Sequence, residues 1–114
     1  MKLFEKSKIL RIYVDENIKV GNDLLYREII KKWLSMKLKG ATVYKAVEGF
    51  GSSAHIRDAT ILEISENLPV VIETIDTPAQ VAKALKAVES WLPAHALVTL
   101  QDIKVIRYHR PKGK

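Results

Sequence analysis

Pro69-Val70-Val71-Ile72-Glu73-Thr74-Ile75-Asp76 runs without a break into Thr77-Pro78-Ala79-Gln80, and this junction decides the fold class. The first eight residues are dense in β-branched side chains and read as a strand. A proline at the first position of a strand is tolerated because that position can forgo a ladder donor. The next four residues start a helix. Thr77 is the expected N-cap, Pro78 suits the first helical position, and Gln80 is placed to close a capping box. The helix is expected to run to about Trp91, burying Val81, Leu85, Val88 and Trp91 or Leu92. Pro93 stops it.

Upstream, Ile9-Leu10-Arg11-Ile12-Tyr13-Val14 reads as a central strand ending at the turn signal Asp15-Glu16-Asn17. Gly21-Asn22-Asp23 is expected to open a long helix, with Asn22 or Asp23 as its cap. Leu25, Ile29, Trp33 and Met36 form its apolar stripe, widened by Tyr26, Ile30 and Leu34. Lys31, Lys32, Lys37 and Lys39 mark the wet side, and Gly40 is the expected stop. Ala41 to Glu48 reads as a second strand. A glycine- and serine-rich loop of about ten residues follows, long for a hairpin, with Ile61, Leu62 and Ile64 as a short strand beyond it. Downstream of the second helix, Leu97–Leu100 and Ile103–Ile106 supply the last strand, with a bend expected at Gln101-Asp102.

The order is βαββαβ. It implies an α+β chain of the ferredoxin-like kind, with a four-stranded antiparallel sheet and two helices on one face. Residues 1–114 are read as a single domain, consistent with their number. Two helices cover only one face of such a sheet. The other face, rich in apolar strand residues, is expected to be covered by self-association.

Composition narrows the chemistry. There is no cysteine, hence no disulfide, thiolate nucleophile or thiolate metal site. No apolar stretch approaches the ~20 residues that span a bilayer. The charged start Met1–Lys8 lacks the apolar core of a secretion signal, so a cytoplasmic location is expected. His55, His95 and His109 show no metal-ligand spacing, so no metal site is expected. Ser52 and Ser53 stand in no nucleophile elbow. An acylphosphatase-type site would need a basic phosphate loop after the first strand, where Asp15-Glu16-Asn17 would repel phosphate instead. The chain is therefore read as a non-enzyme.

The net charge of +6 suits any anionic partner, and Arg107, Arg110, Lys112 and Lys114 concentrate part of it in eight residues. Those four residues read equally well as a solvated tail and as phosphate ligands. The runner-up function is a basic nucleic-acid-binding module. It would stack bases on strand aromatics, for which Tyr13 and Tyr44 are available and the third strand offers none.

The loop Gly49-Phe50-Gly51-Ser52-Ser53 has a direct physical use. Glycines let the backbone approach a ligand and aim successive N–H groups at an anion, and serine hydroxyls add donors. Val47-Glu48-Gly49-Phe50-Gly51 followed by His55 resembles the start of the ligand loop in PII-type nitrogen-signalling proteins. The resemblance spans the chain, including Thr77 and Val105-Ile106-Arg107. It is closest to the compact PII-like proteins of uncharacterised function, which share the G-F-G-x-x-x-H loop and a strand ending L-V-T-L-Q-D-x-x-V-I-R-Y. The resemblance implies a homotrimer with adenine nucleotide (AMP, ADP or ATP) in clefts between subunits, and no tightly bound cofactor. The partner it suggests is a membrane transporter or channel.

The expected nucleotide-binding residues are Gly49, Phe50, Gly51, Ser52, Ser53, His55, Arg57 and Arg107. Three departures from PII proteins stand out. Ser52 and Ser53 replace the arginine and glutamine that follow G-F-G. No tyrosine lies between Gly49 and Thr60 to be uridylylated. Leu92-Pro93-Ala94-His95-Ala96 replaces a G-x-G-K loop.

Overall fold

The structure, a computed structural model, describes residues 5–47 and 68–106. The longest strand, β1 (Glu5–Asp15), is followed by two short strands, β2 (Lys19–Val20) and β3 (Asp23–Leu24), and by helix α1 (Leu25–Ser35). Then come β4 (Ala41–Lys45), β5 (Pro69–Asp76), helix α2 (Pro78–Val88), a 3-10 turn (Glu89–Trp91) and β6 (Leu97–Val105). The main sheet has the order β4-β5-β1-β6, and every neighbouring pair is antiparallel. This is the ferredoxin-like arrangement expected from βαββαβ.

Side-chain alternation fixes the two faces. Leu10, Ile12 and Val14 of β1 stand with Val70 and Ile72 of β5 on one face, and all are buried. Leu25, Ile29 and Trp33 of α1 and Val81, Ala84 and Val88 of α2 close over them into one core cluster. The two helices are tied to each other as well. The buried Trp33 indole N–H donates to the Ala84 carbonyl at 3.0 Å.

Local chemistry explains several boundaries. Thr77 Oγ1 accepts the Gln80 N–H at 3.3 Å, as a cap should. The other half of the expected capping box is replaced. The Thr77 N–H donates to the Asp76 carboxylate at 2.7 Å rather than to the Gln80 side chain.

Helix α1 departs from expectation at both ends. Gly21 and Asn22 form the turn of the β2–β3 hairpin, with Gly21 at φ +64°. Glycine alone at positive φ in the first central position is the type II′ pattern, which matches the twist of a hairpin. The helix therefore begins after Leu24, without a side-chain cap, and its Leu25 N–H donates to Ile18 O at 2.8 Å. At the other end Gly40 is not the stop. Lys37 takes the left-handed conformation, φ 61°, and the Lys37 and Leu38 N–H groups donate to the Leu34 and Trp33 carbonyls. That is the Schellman pattern, with the buried Leu38 packing into the same core as Trp33.

Leu34 is 77% exposed and does not widen the buried stripe. The expected bend at Gln101-Asp102 is absent too, because β6 keeps register with β1 from Tyr13↔Leu97 to Glu5↔Val105.

Candidate functional site

Gly49, Phe50, Gly51, Ser52, Ser53, His55, Arg57 and Arg107 lie outside the described residues, as does the expected short strand at Ile61, Leu62 and Ile64. The stems that lead into residues 48–67 are described. Lys45 pairs with Val70 and the Ala46 N–H donates to Pro69 O at 2.9 Å, so the two stems leave the sheet side by side. Glu16 holds both. Its N–H donates to Leu68 O at 3.0 Å, and its carboxylate pairs with the Lys45 ammonium at 3.1 Å. Val47, the last described residue of the first stem, is 92% exposed.

A cavity of about 360 Å³ lies at the opposite end of β4. Lys39, Gly40, Ala41 and Thr42 line one side of it and Glu73, Thr74 and Ile75 the other, with Val105 completing the wall. Its size is that of a small-molecule site, and its lining combines aliphatic residues with Lys39, Thr42, Glu73 and Thr74. From Ala41 to Lys45 is four strand steps, ~13 Å at ~3.3 Å each. Within one chain, the cavity and the described stem at Lys45 are thus separated by the length of β4. Val105 stands only two positions before Arg107.

The rim of this cavity is held from β5. The Thr74 hydroxyl donates to Gly40 O at 2.6 Å, and the Asp76 carboxylate accepts the Lys39 N–H at 2.9 Å. The Lys39 ammonium pairs with the Glu5 carboxylate. Thr74 and Asp76 are 1% and 3% exposed. Sequence reading passed over them, although a signal existed. They occupy the inward positions of β5 that continue Val70 and Ile72, where a polar side chain must find a partner.

The face of the sheet away from the helices carries a polar line across all four strands. Tyr44 of β4 donates its hydroxyl to the Glu73 carboxylate of β5 at 2.9 Å. Glu73 accepts from Arg11 Nε of β1 at 2.9 Å, and Arg11 Nη1 donates to the Gln101 side-chain oxygen of β6 at 3.0 Å. Glu73 also lines the cavity. The hydrogen bond to Glu73, followed by its negative charge, holds the Tyr44 phenol above its ordinary pKa. On the other, helix-facing side of β1 and β6, Lys8 pairs with Asp102 at 2.8 Å, and this bond holds the Asp102 carboxyl below the usual range.

Among the described residues, no group of three or more His, Asp or Glu side chains could hold a metal ion. No described helix is long and apolar enough to cross a membrane. His95 sits exposed in the turn before β6, as a polar loop residue.

Comparison with known proteins gives three kinds of likeness. The DUF190 family model, described as Uncharacterized ACR, COG1993, matches residues 7–105. A UPF0166 protein of Aquifex aeolicus (strain VF5) is 31% identical over 101 residues, covering 89% of this chain and 94% of its own. A PII-like signalling protein of Thermus thermophilus, so described as a putative assignment, superposes with a TM-score of 0.62 at 19% identity, over 93% of this chain and 94% of that one. CPII of Thiomonas intermedia K12, in a structure bound to ADP and bicarbonate, superposes with a TM-score of 0.58 at 20% identity, over 91% and 92% of the two chains. At these identities the two superpositions show a common fold.

Proposed function

Since the chain belongs to the DUF190 family and has the fold of PII-like proteins, we propose that it is a PII-like regulator that binds an adenine nucleotide. In this reading it acts without catalysis, by changing how it engages a partner protein, with a membrane transporter or channel as the candidate class. The observation that carries the proposal is the shared fold with CPII, whose structure holds ADP.

The cavity beside Lys39–Thr42 takes the base. Phosphate and ribose are assigned to Gly49, Phe50, Gly51, Ser52, Ser53, His55 and Arg57 of the loop and to Arg107. Glycine N–H groups, hydroxyls and cations are the donors that phosphate oxygens require. The cavity and the loop base stand at opposite ends of β4, so the proposed site is completed between subunits of a homotrimer. The face of the sheet away from the two helices is the surface proposed for that assembly. The nucleic-acid reading finds little support in the described residues: the Tyr44 hydroxyl is bound to Glu73, and β5 carries no aromatic side chain for bases to stack on.

Calorimetric titration of AMP, ADP and ATP tests the reading. At least one is expected to bind saturably. Arg107→Ala should weaken it roughly tenfold or more, the loss of one charge-assisted bond of ~1.5–3 kcal/mol. A further variant probes the cavity. A Cβ at Gly40 would meet nothing within 4 Å, and this glycine lies outside the left-handed region. Gly40→Leu should therefore leave the fold intact while occluding nucleotide. No heat from any of the three nucleotides, alongside sub-micromolar RNA binding, would reverse the choice of function.

A further inference from the structure

Two buried polar side chains of β5 converge on two consecutive backbone residues outside the sheet. The Thr74 hydroxyl donates to the Gly40 carbonyl at 2.6 Å, and Asp76 Oδ2 accepts the Lys39 N–H at 2.9 Å. Asp76 does not serve that linker alone. Its Oδ1 accepts the N–H of Thr77, the cap of α2, at 2.7 Å. Lys39 is anchored a third way, through its ammonium, to the Glu5 carboxylate at the start of β1. The linker from α1 to β4 is thereby fastened to β5, to β1 and to the N-cap of α2.

These bonds are disproportionate to what the fold requires of a short linker. The Schellman turn at Lys37 and Leu38 already ends α1, and the Ala41↔Thr74 pairing already starts β4. Between them, Lys39 and Gly40 line the cavity, and the groups that hold them come from its opposite wall or just beyond it. Placing a buried hydroxyl and a buried carboxylate at positions that continue Val70 and Ile72 costs apolar contact. That cost is offset only if each polar atom is satisfied, as here.

We infer that Thr74 and Asp76 are positioning residues for the ligand cavity, fixing the Lys39–Gly40 backbone at the geometry that ligand contacts need and coupling it to the N-terminus of α2. The inference rests on the proposed nucleotide-binding reading for the identity of the ligand, and on the hydrogen bonds alone for the clamp. A binding site demands placement of its walls to about 0.5 Å, which a linker held only at its ends does not provide.

The test has two readouts on the full chain: amide hydrogen exchange at Lys39–Thr42 without ligand, and ADP titration by calorimetry. Thr74→Val removes the hydroxyl at nearly constant shape, Asp76→Ala removes both acceptors, and Thr74→Ser restores the hydroxyl. Thr74→Val and Asp76→Ala are expected to speed exchange at Lys39–Thr42 by about tenfold, while amides in the middle of α2 keep their protection. They should also weaken ADP about tenfold, with Thr74→Ser close to wild type. Exchange unchanged in both variants overturns the clamp, whatever the nucleotide result. Faster exchange with wild-type ADP affinity overturns the positioning role. Wild-type protein that binds no ADP moves the titration to AMP or ATP, and wild-type protein that binds none of the three overturns the proposed function and the ligand role with it. Should Asp76→Ala fail to fold, the Thr74 pair of variants decides the question by itself.

Discussion

Tyr44 is the residue whose ionisation reports the polar line across the open face. Its phenol is held above the ordinary value of ~10 by the hydrogen bond to Glu73 and by that carboxylate's charge. A raised pKa means that the neutral phenol is the form the folded state favours. This stabilisation is present in full below the unfolded pKa and is lost as pH rises through the folded value. Glu73→Gln keeps an acceptor but removes the charge. Tyr44, followed by NMR through its ring carbons, should then titrate at lower pH than in the wild type. An unchanged midpoint would mean that Glu73 does not set it.

At this scale the sequence was readable wherever one residue's own chemistry decides. Thr77 was such a case, because its hydroxyl bonds an N–H three residues away. Gly40 was not, because the left-handed position went to Lys37, where core packing of Leu38 outweighs the strain of a side chain at positive φ. Thr74 and Asp76 went unnoticed because their partners, Gly40 and Lys39, lie more than thirty residues away in the chain.

Among the elements, β5 and α2 were legible almost to the residue, since strand and helix signals abut at Asp76-Thr77. The cap is correspondingly testable. Thr77→Ala should cost ~1 kcal/mol in urea unfolding with unchanged slope, and Thr77→Ser should recover most of it. A variant with Ala at 77 and wild-type stability would show that Asp76, which takes the Thr77 N–H, already suffices. The start of α1 was misread because Gly21-Asn22-Asp23 suits a helix cap and a hairpin turn equally well. The bond from Leu25 to Ile18 settles which, and no local pattern encodes it. Likewise Gln101 and Asp102 read as a break in β6, yet each is satisfied by a basic residue of β1, Arg11 and Lys8. The predicted loop residues keep their sequence argument alone; what the structure adds is the pair of stems and the hold that Glu16 has on both.

Across the whole molecule, the two helices bury one face of the sheet and leave the other with Tyr13, Val71, Ile75 and Leu97 around the line of polar groups. A face both apolar and internally hydrogen-bonded is suited to association, because its charges are already paired when water is removed. Light scattering should accordingly give about three times the chain mass of 12.9 kDa. Arg11→Ala, which strips Glu73 of its cation, should shift the assembly toward smaller species. A monomer at micromolar concentration would remove both the assembly and the shared cleft. The strand order carries a consequence of a different sort, in time. β1 lies between β5 and β6, so a long strand synthesised before either of them finds its partners only in the later part of the chain. The bond from Lys8 to Asp102 closes a separation of 94 residues. Loop entropy must be spent before those pairings repay it, which places such a chain among the slower small folders. Until β6 emerges, β1 is an apolar strand with an unpaired edge, and the nascent protein is at its most vulnerable to aggregation in that interval.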